Sequence, residues 1–380
     1  MLPASLRFWL FDQMSVKTMR YVSAVPRKET TGLTKQVYEM INRDFFKNGS
    51  LTSRSRVPEL MAAIWMAGRE TMLVEDKVNR TTKDALCAVL SQINDCPYCE
   101  DMLVSLVHAG GEHGVASDIM TKKEREISDP EFRAAIEWLQ AITNPEATPV
   151  WQPFGPEQMP EVIGTLMAMS DINRFSHIVM EDSPVSSLFG DHAGKAMQLR
   201  LFGTELTSTR RVPLKPGDSL SLLPAASLPY DMSWAAANPR VADAIGRYAA
   251  TVERMAESVI SPEVSSRVAE SLQAWNGETM PISRAWVEPE VAGLADRDAA
   301  IARLSIVLAK SPYQVDAKLA EMVLEYEPNE DRFIRILAWA SFSGARRFAR
   351  LIAQRAEIWS QVPAPASTVE LADAHMQAIT

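Results

Sequence analysis

Cys96 and Cys99 are the residues whose type and spacing best suit chemistry, and they enclose Pro97 and Tyr98. Two thiols at this spacing can close a disulfide after one of them is oxidised or attacked. A Cys-x-x-Cys pair also supplies half of many zinc sites, and it can consist of two inert cysteines at the edge of a core. We favour a redox dithiol over a zinc site, because Cys87 is the only other cysteine and the sequence holds no second pair.

The segments on both sides of the pair predict its position in the fold. An apolar periodicity over 82–93 predicts one helix. Asn94-Asp95 can cap a second helix, whose first turn accepts Pro97 because the N–H that proline lacks would be unpaired there. We therefore expect both cysteines in the first turn of this second helix, on one face, and its end at Gly110-Gly111. Unpaired backbone N–H groups and the helix dipole stabilise a thiolate in such a first turn.

The stretch 83–101 resembles the alkylhydroperoxidase D-like (carboxymuconolactone decarboxylase-like) superfamily. The family pattern is a glutamate, eleven residues, Cys-x-x-Cys, three residues and a histidine. The resemblance implies that Cys99 attacks a peroxide and that Cys96 resolves the oxidised product. It places the family glutamate on Asp84 and the family histidine on Leu103. Because leucine cannot accept a proton, the resemblance implies a peroxidase that is weakened at this step.

Two further residues could support this chemistry. Tyr98 could donate its hydroxyl to a bound oxygen, or it could simply cover the sulfurs. His108 is the nearest substitute for the absent histidine, although an intact helix aims it away from Cys99 and its place near the helix C-terminus suits a cation. His108 and His113 could complete a zinc ligand set only if the helix bent. We expect no metal and no cofactor.

The whole chain predicts an all-α fold, since helical periodicities follow one another without sustained two-residue alternation. Landmarks of the first half recur in the second: Asn238-Pro239 matches Val57-Pro58, and 261–276 matches 79–94. We predict two fused alkylhydroperoxidase D-like helical bundles related by internal duplication. The predicted order is an N-terminal extension at 1–18, a first unit at 19–180, a crossover segment at 181–232, a second, degenerate unit at 233–362 and a tail at 363–380.

The second predicted unit lacks the chemical groups of the first. Glu278 stands opposite Cys96, Pro281 stands opposite Cys99, and Ser266 replaces the carboxylate. We therefore expect one active site per chain. The family resemblance also implies a homo-oligomer.

Composition restricts the partners. The net charge of −9 and the absence of lysine or arginine blocks argue against nucleic acid. Three cysteines in 380 residues do not make a disulfide framework, so a reducing cytoplasm fits best. The apolar stretch 6–11 is far too short to span a membrane. We expect a peroxide or other small substrate and, by resemblance, a dithiol reductant protein of the lipoyl or thioredoxin type.

The alternative is a non-redox use of the same fold, either as a lactone decarboxylase-like enzyme or as a binding or regulatory module. Leu103 favours this alternative, because the family base is absent. The retained cysteine pair, with its proline and capping residues, favours the peroxidase, which we take as the working hypothesis.

Overall fold

The computed structural model describes residues 17–181, 192–210 and 212–363, and the side chains of 192 and 193 fall outside this description. Within these ranges the chain forms helices and no β-strand, and one antiparallel bridge joins Met19 to Met180. The predicted all-α fold class is therefore confirmed. Within the same ranges no helix is both long enough and apolar enough to cross a membrane.

The helices of the N-terminal part surround the Cys-x-x-Cys stretch. They are α1 (Gly32–Asp44), α2 (Gly49–Thr52), α3 (Pro58–Gly68), α4 (Arg80–Ile93), α5 (Pro97–Ala109), α6 (His113–Met120), α7 (Pro130–Thr143) and α8 (Met159–Val179). One π-helical turn, Arg69–Leu73, continues α3.

The remaining helices begin with a crossover helix and end with the longest helix that the structure describes. They are α9 (His192–Leu206), α10 (Pro239–Ala256), α11 (Pro262–Ala274), α12 (Glu288–Val291), α13 (Asp296–Lys310), α14 (Ala317–Tyr326) and α15 (Glu330–Trp359).

Several helices begin where a capping side chain precedes a proline. The side-chain oxygens of Asp129, Asn238 and Ser261 accept hydrogen bonds from N–H groups in the first turns of α7, α10 and α11. Proline follows each cap, at the one helical position where a missing N–H costs nothing. These starts are therefore set by local sequence.

The helices pack through one continuous core. α5 lies against α4, α15 lies against α8, and α10 lies against α3, so that the two parts of the chain share buried faces. Buried apolar side chains from both parts belong to one cluster. The predicted duplication and its unit boundaries remain predictions, and 1–16, 182–191, 211 and 364–380 lie outside the described residues.

The crossover helix α9 covers one side of α5, the helix that carries Cys99. A Cβ atom on Gly203 would lie 2.6 Å from the Ser105 carbonyl oxygen and from the His108 Cβ, so only glycine permits this approach. An ion pair between Lys195 and the buried Asp101, 2.6 Å long, also joins the two helices. The crossover helix α9 is thus packed onto α5.

Candidate active site

The backbone turns sharply between α4 and α5, and this turn places Cys96. Asn94 ends α4, and Asp95 adopts a left-handed conformation with φ of 52°. Cys96 is the N-cap residue of α5, Pro97 is its first residue, and Cys99 lies in its first turn. The expectation that both cysteines occupy the first turn, with Asn94-Asp95 as cap, was therefore wrong by one position. The predicted end of the helix is confirmed, because Gly110 caps it.

The two sulfurs of the dithiol, Cys96 and Cys99, nevertheless face each other. Their Sγ atoms lie 2.7 Å apart, and both cysteines are free thiols. A disulfide bond is about 2.05 Å long, so a shift of well under 1 Å would bring the sulfurs to bonding distance. Each cysteine exposes only 2% of its surface. The pair is preorganised for disulfide closure inside the protein.

The environment of Cys96 opposes its ionisation, with two exceptions. Burial raises the pKa of the Cys96 thiol well above its ordinary value, and its side-chain hydrogen bond with Cys99 raises the pKa further. Hydrogen bonds from the Cys99 backbone N–H and from the Asn173 side chain act in the opposite direction. The Asn173 amide is held in place because it donates to the Ser91 hydroxyl and accepts from the Asn94 amide, both at 3.0 Å. Asn173 is thus a fixed donor beside the Cys96 sulfur.

Cys99 borders a cavity of about 70 Å³, which we call the apolar cavity. Its wall includes the buried side chains of Phe46, Ile64, Met72, Leu106 and Met169. A single water needs about 10–15 Å³ on the same measure, so the cavity has room for a small molecule with a short apolar chain. The π-helical turn after α3 supplies part of the wall, and such turns are frequent at functional sites.

Asp84, the predicted carboxylate, also lines the apolar cavity. It is buried in α4, and the Arg210 guanidinium forms an ion pair with it. Arg210 further donates to the Leu106 carbonyl oxygen at 2.8 Å and to the Thr81 hydroxyl at 3.1 Å. Any proton that Cys99 gave to Asp84 would therefore weaken an existing ion pair.

Tyr98 and Leu103 also lie where the sequence predicted contact with the dithiol. Tyr98 lines the apolar cavity, and its hydroxyl accepts a hydrogen bond from the Gly49 N–H at 3.3 Å. Leu103 follows Cys99 by one helical turn and borders the same cavity with 6% of its surface exposed. The position of the family histidine is thus filled by an apolar wall.

His108 lies apart from this group. It is in the last turn of α5, is not among the residues that line the apolar cavity, and its Nδ1 lies 3.1 Å from the Nδ1 of His113. Burial, followed by the nearby charges of His113 and Arg200, lowers the pKa of His108 to about 4. No group of three or more histidine, cysteine or acidic residues that could hold a metal ion occurs within the described ranges.

Two residues of the site escaped sequence reasoning. The indole N–H of Trp65 is buried in the wall of the apolar cavity and has no hydrogen-bond partner among the described residues. The buried Arg54 lies 3.6 Å from the centre of the Phe175 ring, pairs with Asp171 at 2.5 Å, and interacts electrostatically with Cys99. No local motif marks either residue: Trp65 lies in α3, which is apolar on nearly all sides, and Arg54 lies in the connection between α2 and α3.

The comparison with curated proteins finds similarity to alkyl hydroperoxide reductase Rv2159c from Mycobacterium tuberculosis (strain ATCC 25618 / H37Rv). The two sequences are 26% identical over 346 residues, which cover 90% of this chain and 97% of that protein. No family model matches the sequence, and no solved structure matches it. The similarity suggests an alkylhydroperoxidase-like family and a peroxide-related enzymatic function.

Proposed function

We propose that the protein is a thiol-dependent peroxidase of the alkylhydroperoxidase type, which reduces small peroxides through a dithiol–disulfide cycle of Cys96 and Cys99. One observation carries the proposal: the two sulfurs lie 2.7 Å apart, and Cys99 borders the apolar cavity. A peroxide held in that cavity meets the Cys99 sulfur, with the Cys96 sulfur already within reach of it.

The oxidative half of the cycle has two steps. The Cys99 thiolate attacks one peroxide oxygen, the O–O bond breaks, and the other oxygen leaves with the electron pair as an alkoxide or hydroxide that takes up a proton. Cys99 is then a sulfenic acid. The Cys96 sulfur attacks the Cys99 sulfur, and water leaves as the disulfide forms. The fixed amide of Asn173 supports this second step, because it stabilises a thiolate at Cys96.

Activation of Cys99 relies on weaker devices than a histidine would supply. The helix dipole favours a thiolate in the first turn of α5, where Cys99 lies, and the buried Arg54 cation acts on Cys99 electrostatically. Leu103 contributes no base. We therefore expect slower attack than in a site with an imidazole at this position, by a factor of about 10²–10⁴.

The cavity wall supplies a donor for the peroxide. The unpartnered N–H of Trp65 can donate to a peroxide oxygen, and this bond strengthens as charge develops on the leaving oxygen. The remaining wall is apolar, which suits an alkyl group. Trp65 is therefore our candidate for the residue that orients the substrate.

The disulfide must then be reduced by a dithiol, and the family resemblance implies a reductant protein of the lipoyl or thioredoxin type. A homo-oligomer in a reducing cytoplasm, with one active site per chain, completes the proposal.

Steady-state turnover tests this function. The protein, an alkyl hydroperoxide and a dithiol donor should consume peroxide, and Cys99→Ser should abolish turnover because the nucleophile is gone. Cys96→Ser should retain one stoichiometric oxidation of Cys99 and lose turnover. Equal peroxide consumption by all three proteins would refute the proposal.

A non-redox function remains the second candidate, on the observation that Leu103 fills the base position and both cysteines are 2% exposed. A lactone decarboxylase-like reaction or a binding role would use the apolar cavity without the sulfurs. Activity or ligand binding that survives replacement of both cysteines by serine would favour this candidate.

A further inference from the structure

A second cavity, of about 210 Å³, reaches the dithiol from another side, and we call it the polar cavity. Its lining includes Cys96 together with Arg20, Tyr98, Ser176 and His177. Arg20 comes from the chain before α1, and Ser176 and His177 come from the last turns of α8. Residues at the start of α14 complete the wall, so the cavity lies where the two parts of the chain meet.

The two cavities divide the dithiol between them. Cys99 lines the apolar cavity, Cys96 lines the polar one, and Tyr98 lines both. Tyr98 is buried and borders both cavities. Each cysteine of the pair thus lines a different cavity, although the two sulfurs are only 2.7 Å apart.

The polar cavity leads from exposed residues to a buried floor. Glu181, Asp316 and Ala317 on its wall are exposed, whereas Cys96 and Ser176 expose 2% and 1% of their surfaces. A molecule that enters past the exposed residues can therefore reach the Cys96 sulfur, but only if it is slender.

The floor and walls of the polar cavity carry one hydroxyl without a hydrogen-bond partner and two polar side chains that are held by carbonyl oxygens. The Ser176 hydroxyl is buried and has no hydrogen-bond partner among the described residues. Both ring nitrogens of His177 lie 3.3 Å from carbonyl oxygens, those of Asp95 and Val315. The Arg20 guanidinium donates to the Met180 carbonyl oxygen at 2.8 Å. An orphaned buried hydroxyl costs free energy that a ligand with a hydrogen-bonding group recovers, so this cavity suits a ligand that carries such a group, as dithiothreitol does in its hydroxyls and a lipoyl arm does in its amide.

We propose that the polar cavity is the entrance for the reductant: a slender dithiol, free or carried on a flexible arm, enters between Arg20, His177 and Ala317 and attacks Cys96, while the peroxide uses the separate apolar cavity at Cys99. This inference rests on the proposed dithiol cycle and adds to it a second entrance, a point of attack and a size limit for the donor.

The chemistry of the step follows from the positions of the sulfurs. A donor thiolate attacks the Cys96 sulfur, the Cys96–Cys99 bond breaks, and its electron pair leaves on Cys99, which becomes the thiolate needed for the next peroxide. The second donor thiolate then attacks the donor sulfur of the mixed disulfide. The donor closes its own disulfide, and Cys96 leaves as a thiolate that takes up a proton.

The burial of Cys96 sets the size limit. A folded reductant of the thioredoxin type is far too large to enter a cavity of about 210 Å³, so it cannot bring a surface cysteine to Cys96, a residue that is only 2% exposed. Of the two donor types implied by the family resemblance, the inference therefore selects the one that presents its thiols on a narrow chain.

The test measures each half-reaction separately. The disulfide is first formed with diamide, so that its reduction can be followed even if the protein fails to react with peroxide. Dithiothreitol serves as the free dithiol, a reduced lipoyl domain as the arm-borne one, and reduced thioredoxin as the folded donor. Ala317→Trp narrows the cavity from an exposed position, and Lys318→Trp is the matched control on the next exposed residue of α14.

We expect Ala317→Trp to slow reduction of the disulfide by dithiothreitol or by the lipoyl domain about tenfold or more, and to slow oxidation of the dithiol by peroxide much less. Lys318→Trp should slow neither half-reaction. Whichever of these two donors reacts faster identifies the source of the thiols. Reduction by thioredoxin at the same rate as by dithiothreitol, or equal slowing by both tryptophan variants, would overturn the inference.

A labelling experiment gives an independent answer if Ala317→Trp proves unstable. Relative to a neutral methanethiosulfonate reagent, a charged one should modify Cys96 in the Cys99→Ser protein more readily than Cys99 in the Cys96→Ser protein, because Cys96 lines the polar cavity and Cys99 lines the apolar one. The ratio of the two reagents cancels the difference in thiol ionisation between the two proteins. A higher charged-to-neutral ratio at Cys99 would contradict the separate entrances.

Discussion

Leu103 stands where the alkylhydroperoxidase D-like pattern has a histidine, and at this residue the sequence departs most from the pattern that it resembles. Leu103 and Cys99 are one helical turn apart on α5, so a side chain at 103 points along the same face as the sulfur. A leucine at this position can contact an alkyl group, but it cannot accept a proton.

Leu103→His should accelerate oxidation of the dithiol by an alkyl hydroperoxide by about tenfold or more, because an imidazole can accept the thiol proton. The rate should rise between pH 5.5 and 7.5, around the ordinary imidazole pKa of about 6.5. Leu103→Gln is the control, since it is polar but does not titrate. Stopped-flow measurement of disulfide formation provides the rates, and an unchanged rate in the histidine variant would show that position 103 does not face Cys99 productively.

Trp65→Phe should slow peroxide oxidation about tenfold or more, because it removes the one unpartnered donor that we assign to the peroxide oxygen. Trp138→Phe is a matched control: its indole N–H is also buried without a partner among the described residues, but it does not line the apolar cavity. The test compares the second-order rate constants for oxidation of the dithiol by peroxide in the two variants. Equal rates for both would remove Trp65 from the mechanism.

At this scale the spacing of Cys96 and Cys99 singled them out, and the family resemblance pointed to Asp84 and Leu103. Cys99, Asp84 and Leu103 all line one cavity, and the catalytic roles of the four residues remain predictions. Trp65 was missed because its role depends on a cavity formed by several helices, and an apolar helix does not reveal which side chain lacks a partner.

At the scale of elements, the packing of α5 against the crossover helix α9 controls what surrounds the dithiol. Gly203 brings the helices together, and Arg210, in the short helical turn after α9, reaches Asp84 in the cavity wall. The crossover segment was predicted to pack on the fold, but its contribution of a cation to the candidate site could not be read from local pattern, since Arg210 and Asp84 are 126 positions apart.

The contact between α5 and α9 should also make stability depend on pH through His108. Its pKa is lowered to about 4 by burial, so the folded state binds fewer protons than the unfolded state between pH 6.5 and 4. This contribution to stability is present above pH 6.5 and is lost as the pH falls toward 4.

We expect the free energy of unfolding to fall by about 1–2 kcal/mol more in the wild type than in His108→Gln between pH 7 and pH 4.5. Urea unfolding at several pH values measures this difference, and comparison of the slopes cancels the effects of the other titrating groups. Parallel slopes for the two proteins would mean that His108 does not titrate as its burial requires.

Helix boundaries were predicted well where a capping residue or a glycine marks them in the sequence, and less well at the start of α5, beside the dithiol. The end of α5 at Gly110 followed from sequence, but the start was displaced by one residue because Asp95 adopts a left-handed conformation. The conformation of such a turn depends on how α4 and α5 pack, and this packing cannot be predicted from the type of any single residue.

At the scale of the whole molecule, buried polar residues join the two parts of the chain. The Tyr248 hydroxyl in α10 donates to the Asp171 carboxylate at 2.6 Å, and Asp171 also pairs with Arg54. Burial raises the pKa of Asp171, and Arg54 and Tyr248 oppose that effect. From the other side, Arg174 donates to the Ala309 carbonyl oxygen at 2.9 Å. The candidate site is therefore supported by residues far from it in sequence.

Tyr248→Phe should lower the free energy of unfolding by about 1–3 kcal/mol, because it leaves the buried Asp171 carboxylate without one of its donors. Tyr230→Phe is the control: Tyr230 is 95% exposed, and its change should stay within about 0.5 kcal/mol. Urea unfolding of both variants provides the values. A Tyr248 variant as stable as the Tyr230 variant would contradict the importance of this hydrogen bond.

The all-α class of the described residues was predictable because helical periodicity is a local property. The internal duplication remains a prediction. A tandem chain can bury an interface within itself, but the particular contacts of α15 with α8 could not be read from local patterns, since they join segments more than a hundred residues apart.

The most direct test of the central claim is a thiol count with peptide mapping on the fully reduced protein after one equivalent of an alkyl hydroperoxide. The proposed cycle predicts that two of the three thiols disappear together, that Cys96 and Cys99 are recovered in one disulfide-linked peptide, and that Cys87 stays reduced because it is buried and its thiol pKa is raised well above the ordinary value. Recovery of all three thiols, under conditions in which the protein is folded, would contradict the account.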